Sequence, residues 1–337
     1  MAPEEGIADV LIVGSGIAAQ AAGHRLILEG WRVILLDKAR GVGGRMASRR
    51  FGGATFDHGA NFFTVRSHEF SEIVNRWQQY GLIDAWFHSA ASENGEGHFR
   101  YRGKPSMTAI AKHFDKNWSS VVREAKVTQL SRIDGVWRLE TADGRSFFGR
   151  ALILTPPMPQ SLALLEPLRD LIPAPLWEQL AVIRYTRTLT AMLRLEHPSA
   201  LPDPGLIHLD DPEPLMTLID NQQKGISEAP AVTLHAGPGF SERYYGAPNE
   251  EHLRLMVEAA QSLIQSQVVE SQVHRWGFAT CLNPSDLKYA VVPPLNLWLA
   301  GDSFRAARVE AAYLSGREAA VDATARLAQQ GAPEGSL

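Results

Sequence analysis

A mixed α/β fold, in which a doubly wound parallel-sheet unit is interrupted by an inserted sheet-plus-helix region, is predicted by three observations. The chain opens on an apolar strand, Asp9 to Val13, that runs into Gly14-Ser15-Gly16-Ile17-Ala18-Ala19 and a helix rich in small residues. A second apolar strand, Val33 to Leu36, ends on the carboxylate of Asp37. Much later two further apolar strands, Ala151 to Leu154 and Leu297 to Leu299, return the chain to the same kind of sheet, and the second leads to an alanine-rich helix.

The first segment is a dinucleotide-binding pattern. Gly14 permits the tight turn, Gly16 lets a pyrophosphate approach the backbone, and Ala19 is small enough for helix to pack on strand. The N–H groups that open the helix, at Ile17 and Ala18, point at the phosphates with the helix dipole behind them. Asp37 follows Gly14 at about the 20-residue spacing at which a carboxylate meets the ribose hydroxyls. A lone G-x-G-x-x-A also occurs in surface turns, but here strand, turn, helix, strand and acid come in order. The run Lys38-Ala39-Arg40-Gly41-Val42-Gly43-Gly44-Arg45-Met46-Ala47-Ser48 adds two adjacent glycines, Gly43 and Gly44, and an arginine, Arg45, where a long cofactor needs a second contact.

The remaining elements follow in order. Ser67 to Tyr80 places Phe70, Ile73, Val74 and Trp77 on one helical face, with Gly81 as the stop. Ser89 to Gly103 is polar and reads as a loop, and Pro105 suits the first position of a helix through Phe114. Val121 to Phe148 alternates and is broken by Asp134-Gly135 and Asp143-Gly144, the signature of a three-stranded meander. Ala151 to Leu154 ends at Thr155-Pro156-Pro157, where a parallel strand meets a cofactor and leaves the sheet. Thr188 to Leu195 and Ala231 to Ala236 read as strands of the insertion. Glu250 to Ser266 reads as a helix with Leu253, Met256, Val257, Ala260 and Ile264 on one face. The prolines between Pro198 and Pro214 mark a loop. This predicts a discontinuous first domain (1–66, 104–159 and 277–330), an inserted second domain (67–103 and 160–276) and a flexible tail (331–337).

The chain has 337 residues, 45% of them hydrophobic, enough for two cored domains. Its net charge is −4 and its Lys and Arg residues are scattered, so neither nucleic acid nor a membrane surface is an expected partner. The single cysteine, Cys281, excludes an internal disulfide and a Cys-rich metal motif, and no metal is expected. The start, Met1 to Glu5, lacks a basic segment followed by an apolar one, and no apolar run approaches the roughly 18 residues of a spanning helix, so a cytoplasmic location is expected.

With these segments in view, the chain resembles the renalases, specifically the bacterial type, within the flavin-containing amine oxidase superfamily. The likeness rests on Arg40-Gly41-Val42-Gly43-Gly44-Arg45, Phe56-Asp57-His58-Gly59-Ala60-Asn61-Phe62-Phe63-Thr64, Gly103-Lys104-Pro105-Ser106-Met107, Leu234-His235-Ala236, His274-Arg275-Trp276, Ala300-Gly301-Asp302, and Arg308-Val309-Glu310-Ala311-Ala312-Tyr313-Leu314-Ser315-Gly316. The resemblance implies a Rossmann-type FAD-binding domain of the p-hydroxybenzoate hydroxylase kind, non-covalent FAD and an inserted substrate domain. It implies that Gly14, Gly16, Ile17, Ala18, Asp37, Lys38, Arg45 and Met46 hold the adenosine diphosphate part. Val127 meets the adenine through its backbone, Thr155, Gly301, Asp302 and Arg308 line the cofactor, and Asn61 and Phe62 lie beside the isoalloxazine. The helix opening at Val309, Glu310, Ala311 and Ala312 turns N–H groups to the flavin pyrimidine. Many relatives have Gly where Ala19 and Ala311 stand, and some have Tyr where Phe62 or Phe63 stands.

The implied reaction is oxidation of 2- and 6-dihydro-NAD(P) to NAD(P)+ by hydride transfer to FAD, with dioxygen reoxidising the flavin to hydrogen peroxide. His235, Phe62 and Trp276 are the residues assigned to the substrate pocket. Taken without the resemblance, His235 reads as a satisfied histidine at a strand end and Trp276 as core. Two other functions share these motifs. A flavin amine oxidase or desaturase usually carries a lysine near the flavin, yet the strand Thr188 to Leu195 offers only Arg194, leaving Lys288 to approach from elsewhere. A non-catalytic flavin-binding protein would hold FAD without rapid turnover.

Overall fold

The computed structural model describes residues 6–89, 97–115, 120–211 and 213–331. Its strands are β1 (Ala8–Val13), β2 (Val33–Leu36), β3 (Ser48–Phe51), β4 (Ala54–Asp57), β5 (Ile83–His88), β6 (Phe99–Gly103), β7 (Val121–Val122), β8 (Val127–Ile133) and β9 (Val136–Thr141). They continue with β10 (Ser146–Leu154), β11 (Thr188–Leu195), β12 (Leu206–His208), β13 (Leu215–Asp220), β14 (Ala231–Ala236), β15 (Val268–Trp276), β16 (Ala290–Val292) and β17 (Leu297–Leu299). The α-helices are α1 (Ile17–Leu28), α2 (His68–Gln79), α3 (Thr108–Asp115), α4 (Met158–Leu165), α5 (Ala174–Ala181), α6 (Pro238–Tyr244), α7 (Asn249–Ile264) and α8 (Val309–Gln329). The chain divides into two compact units: residues 1–44, 111–184 and 281–337 form the first, 45–110 and 185–280 the second.

The first unit is the doubly wound sheet. Its strand order is β16-β17-β10-β1-β2-β7, and β1 is parallel to both β2 and β10. All six residues of β1 are buried, as a strand covered on both faces requires. The buried carboxylate of Asp9 is compensated by the Arg32 amide at 2.9 Å and the Arg150 guanidinium at 3.3 Å. A core of Val10, Ile12, Val33, Leu35, Ile153 and Trp298 packs against the small faces of α1 and α8. The two helices approach so closely that a Cβ on Gly316 would strike the Ala18 carbonyl.

The second unit is a five-stranded antiparallel sheet, β12-β13-β14-β11-β15, with two hairpins, β3-β4 and β5-β6. One face carries Leu189, Ala191, Leu193, Val232, Leu234 and Ala236, which pack on Phe240 of α6 and on Met256, Ala260 and Ile264 of α7. The opposite face of β11 carries Thr188, Thr190, Met192 and Arg194, so the strand alternates between an apolar and a polar side. Phe56 of β4 packs on Met192 and Ala231 at that second face. This contact explains why the β3-β4 hairpin, assigned from sequence to the first domain, groups with the second unit.

Several elements differ from the sequence reading. The third meander strand and the parallel strand are one element, β10, antiparallel to β9 in its first half and parallel to β1 in its second. Val121–Val122 leaves the meander to pair with β2. The segment read as a loop up to Gly103 contains β6, which pairs with β5, while 90–96 lie outside the described residues. The helix expected at Pro105 begins at Thr108, and the proline-rich stretch holds β12. Residues 160–184, read as part of the insertion, group with the first unit. Gln330, just before the predicted tail, exchanges hydrogen bonds with Asn296 at 2.9 and 3.2 Å. Met1 to Glu5 and 332–337 lie outside the described residues. The helix over 67–80 is as read: Ser67 caps it by accepting from the Phe70 amide at 3.2 Å, and Phe70, Ile73, Val74 and Trp77 are buried.

Candidate active site

In the first unit the chemistry is carried by backbone. Gly14 has φ +102°, and a Cβ there would strike the Thr155 hydroxyl, so only glycine fits. Thr155 donates its hydroxyl to the Val13 carbonyl at 2.8 Å and closes the turn. Gly16 differs: its φ is an ordinary −70°, and a Cβ there would meet nothing within 4 Å, so the space before the α1 N-terminus is open. No side chain caps α1, whose first N–H groups remain available to a phosphate. Gly43 bridges to this turn through its N–H to the Ser15 carbonyl, 3.0 Å, placing the diglycine of the second run beside Gly16.

Asp37, at the end of β2, accepts from the Ser15 hydroxyl and from the Ala39 amide, each at 2.6 Å, which aims its carboxylate and leaves lone pairs for a ribose. The Asp37 carbonyl takes the Ala125 N–H at 2.8 Å and brings the start of β8, with buried Val127, next to it. At the far strand, Gly301 donates to the Ser315 hydroxyl at 3.1 Å and holds the Gly301-Asp302 turn against α8. Arg308 precedes α8 in extended conformation, and this helix too lacks a side-chain cap at its start, Val309 to Ala312; the Ala312 N–H already donates to the Arg308 carbonyl at 3.0 Å. Two uncapped helix starts, an open space at Gly16 and an aimed carboxylate fit a dinucleotide with a flavin at one end. Lys38 is exposed.

In the second unit the chemistry is carried by side chains brought into register. Thr190 of β11 stands opposite His235 of β14 on one side and His274 of β15 on the other. Asn61 Nδ2 donates to the Gly59 carbonyl at 3.1 Å and to His235 Nε2 at 2.8 Å; an amide nitrogen cannot accept, so Nε2 is the acceptor. The proton of His235 therefore lies on Nδ1, facing the Thr190 hydroxyl at 3.1 Å. Burial and then the Lys224 charge push the His235 pKa down to about 4, in keeping with a neutral ring. Asn61 is buried, and its Oδ1 has no partner among the described residues.

Beside this pair lies a cluster of aromatic and charged groups. His58 stacks on Trp276 with centroids 5.3 Å apart, and the Trp276 indole N–H donates to the His58 carbonyl at 2.9 Å. Burial, then His274 and Arg49, push the His58 pKa down to about 3, and burial and Arg49 push His274 to about 4. Lys224 and Asp57 form a fully buried ion pair at 2.6 Å. Asp57 also accepts from the Ser48 hydroxyl at 2.5 Å and the Met107 amide at 3.1 Å, and the Lys224 ammonium lies 5.6 Å from the Trp86 ring centroid. Burial draws the Lys224 pKa below its ordinary value, and the Asp57 carboxylate opposes it.

The assigned residues thus fall into two groups. Gly14, Gly16, Ile17, Ala18, Asp37, Lys38, Val127, Thr155, Gly301, Asp302 and Arg308 to Ala312 belong to the first unit. Arg45, Met46, Asn61, Phe62, His235 and Trp276 belong to the second. Arg45 donates to the Ala279 carbonyl at 3.2 Å and lies over Tyr185. The sequence reading missed Lys224, which sits in the polar turn Asn221-Gln222-Gln223-Lys224-Gly225 and looks like any solvated loop charge; no local signal marks it. It also missed His274, which two-residue alternation from Trp276 puts on the same face, and Thr190, which lies on another strand and joins them only through sheet register. Lys288 pairs with Glu318 at 3.7 Å on the surface of the first unit.

A model of an NAD(P)-binding Rossmann-like domain matches residues 12–77, and one of flavin containing amine oxidoreductases matches residues 83–324. The chain belongs to the flavin-containing amine oxidoreductase family and is a flavin-dependent oxidoreductase. Within that family it is renalase-like: it is 24% identical to the renalase of Mus musculus over 288 residues, 80% of this chain and 84% of the mouse protein. Among solved structures, a redesigned putrescine oxidase matches with a TM-score of 0.72 at 12% identity, covering 95% of this chain and 99% of the other. A CLA-producing fatty acid isomerase from P. acnes matches with a TM-score of 0.66, also at 12% identity, covering 94% and 98%. These structures share the fold. No helix among the described residues is long and apolar enough to cross a membrane.

Proposed function

We propose that this chain is an FAD-dependent oxidase of isomeric dihydronicotinamides, 2- and 6-dihydro-NAD(P), that releases NAD(P)+ and passes the electrons to dioxygen as hydrogen peroxide. The observation that carries the reading is the neutral His235–Asn61 pair with its unpartnered amide oxygen, in a chain that is renalase-like. A carboxamide N–H of the nicotinamide is the donor that Asn61 Oδ1 lacks. A dihydropyridine expels hydride with its own ring-nitrogen lone pair, so the site needs no strong base. His235 suits this: its Nε2 lone pair is committed to Asn61, and at neutral pH it carries no acidic proton beyond Nδ1–H. Phe62 and Trp276 supply flat apolar walls that exclude water.

Non-covalent FAD, when bound, supplies the two-electron acceptor. Gly14, Gly16, Ile17, Ala18 and Asp37 would hold its phosphates and first ribose. Lys38, Val127, Thr155, Gly301, Asp302, Arg308 and the α8 start from Val309 to Ala312 would line the rest, with Arg45, Met46, Asn61 and Phe62 as further contacts.

One observation favours a second reading, a flavin amine oxidase: the insertion does hold a buried lysine, Lys224, and its charge reaches His235. Anaerobic rapid mixing of the flavin-loaded protein with 2-dihydro-NAD(P), 6-dihydro-NAD(P), ordinary NAD(P)H and a panel of amines separates the two. Fast bleaching by an isomeric dihydronicotinamide, with colour returning in air, is the expected result. Bleaching by an amine alone would transfer the function to the second reading, and stable colour with every compound would leave a flavin-binding protein.

A further inference from the structure

Asn61 lies beyond the end of β4, in a stretch with no regular structure, yet it meets His235 at 2.8 Å. Its place follows from how the chain is laid along β14. Val232, Leu234 and Ala236 face the apolar core, so Ala231, Thr233 and His235 share the opposite face of this strand. Phe56 packs on Ala231, the Thr233 hydroxyl donates to the Asp57 carbonyl at 3.1 Å, and Asn61 donates to His235. Residues 56 to 61 thus run beside β14 and touch it at three successive positions of one face.

The middle contact is held by Asn221, in the turn after β13. Its Nδ2 donates to the Thr233 hydroxyl at 2.9 Å, and its Oδ1 accepts the Asp57 N–H at 3.4 Å. The Asn221 N–H donates to the Ala231 carbonyl at 2.7 Å, and the Asn221 carbonyl accepts from the Ile226 and Ser227 amides at 3.0 and 3.1 Å. In the same turn the Ser227 hydroxyl accepts the Thr55 N–H at 3.1 Å, and Lys224 pairs with the Asp57 carboxylate. Every bond of the clamp has one direction. The Thr233 hydroxyl directs its single proton to Asp57 and accepts from Asn221, and a reversed Asn221 amide would set its amino group against the Asp57 N–H. Asp57, Asn221 and Thr233 are fully buried, so the last two can act on a substrate only through other groups. Further along, the Ala60 N–H donates to the Arg45 carbonyl at 2.8 Å, and a Cβ at Gly59 would strike that carbonyl. A stretch this short and crowded has no slack, so a shift of Asp57 is passed on to Asn61.

We propose that Thr233 and Asn221 are positioning residues of the candidate site. By fixing Asp57 they set the place of Asn61 against His235, and with it the angle at which the amide takes the nicotinamide carboxamide. The inference rests on the dihydronicotinamide reading above.

The test uses Thr233→Val, which keeps the shape and removes the hydroxyl, and Thr233→Ser, which keeps the hydroxyl. Both are loaded with flavin, checked by circular dichroism and mixed anaerobically with 2- and 6-dihydro-NAD. The limiting rate of flavin reduction falls about tenfold or more in Thr233→Val, since a misplacement of about 1 Å can cost roughly a hundredfold. Thr233→Ser recovers most of that rate. In an Asn61→Ala background the same Thr233→Val change lowers the rate by no more than about twofold, because the group through which it acts is gone. An unaltered rate in Thr233→Val, or the full drop repeated in the Asn61→Ala background, overturns the assignment. Should Thr233→Val not fold, Thr233→Cys, whose thiol is only a weak donor, takes its place.

A second readout needs no turnover: the nitrogen NMR resonance of His235 Nε2 in histidine-labelled, flavin-loaded protein, identified by its loss in His235→Gln. It moves toward that of an unbonded ring nitrogen in Thr233→Val and keeps its wild-type position in Thr233→Ser. Should no dihydronicotinamide reduce the flavin, the functional reading falls alone, and this shift still supports the positioning role. An Nε2 resonance that is the same in Thr233→Val and wild type overturns it.

Discussion

The two compact units place their chemistry in different parts of the chain's covalent structure. In the first, the groups that would meet a dinucleotide are amides at the starts of α1 and α8, a turn that only glycine can make at Gly14, and one carboxylate at a strand end. In the second, the groups are side chains from three sheet strands, the β3-β4 hairpin and the segments that follow β4 and β13, joined by contacts such as Asn61 to His235 and Asp57 to Lys224 that span well over a hundred residues of sequence. A backbone site tolerates wide sequence change as long as the turn and the helix survive. A side-chain site depends on sheet register, and removal of a single partner leaves a buried group to bear its full desolvation cost.

The sharpest way to break that contrast is at the buried ion pair. Lys224→Met removes the ammonium and leaves the Asp57 carboxylate inside the second unit with Ser48 and the Met107 amide as the donors to its side chain among the described residues. Breaking one partner of a buried pair costs about 3–5 kcal/mol. The expected result is a loss of that order in urea unfolding. A loss below about 1 kcal/mol would mean that the pair is not a structural tie.

The next prediction lies in the first unit and separates fold from cofactor. Gly14→Val meets both a positive φ and the Thr155 hydroxyl, so it lowers stability as well as flavin retention. Gly16→Val meets neither, since its φ is ordinary and the space is open. The apoprotein of Gly16→Val therefore keeps a Tm close to wild type while its flavin affinity falls at least about tenfold, because the added methyls would occupy the place proposed for the pyrophosphate. Equal flavin content in Gly16→Val and wild type would remove the phosphate from that turn.

The same division explains what is legible in the sequence. The dinucleotide turn, Asp37, the Asp-Gly hairpins and the helix from Ser67 are local: each is set by residues within a few positions, and periodicity or turn chemistry reveals them. β10 reads as two strands because Gly149 and Arg150 break its pattern, whereas in the fold the strand changes partners there, from β9 to β1. The polar face of the insertion is half legible. His235 and Trp276 stand out through a family likeness, but Thr190, His274 and above all Lys224 acquire meaning only from register and burial. A charged residue in a loop-like run of Asn, Gln and Gly carries no mark of being fully buried.

Acid sharpens the comparison further, because the histidines of the polar face are held neutral. His58, His235 and His274 have folded pKa values of about 3, 4 and 4 against an ordinary 6.5. Below 6.5 the unfolded chain binds more protons than the folded one, so stability rises with pH across the window from about 4 to 6.5 and is lost on acidification through it. Substrate-dependent flavin reduction is expected to stay flat from pH 6.5 upward and to fall toward pH 4 as His235 gains a proton and Nε2 can no longer accept from Asn61. Replacing His235 by Gln should lower the reduction rate at neutral pH and flatten this acid limb. An acid limb centred near 6.5 in the wild type would show that the ring titrates as a solvated histidine.

The smallest effect tests the tautomer itself. Thr190→Val keeps the shape of the residue between His235 and His274 but removes the acceptor for His235 Nδ1–H. The ring can answer in two ways. It can keep its proton on Nδ1, unpaired, at a cost of about 1–3 kcal/mol, or move the proton to Nε2 and lose the bond from Asn61. An unpaired Nδ1–H favours the second response, which loosens the Asn61 amide that would orient the nicotinamide, while the first-unit residues that would hold the flavin are untouched. The expected result is a flavin content equal to wild type and a reduction rate several-fold lower. The matching change at Thr217, which flanks His235 from the other strand and bonds His208 at 3.2 Å instead, should leave the rate alone. Equal rates in wild type and Thr190→Val would mean that Asn61 is held by the Gly59 carbonyl without help from the histidine, and the oriented pair would reduce to the amide alone.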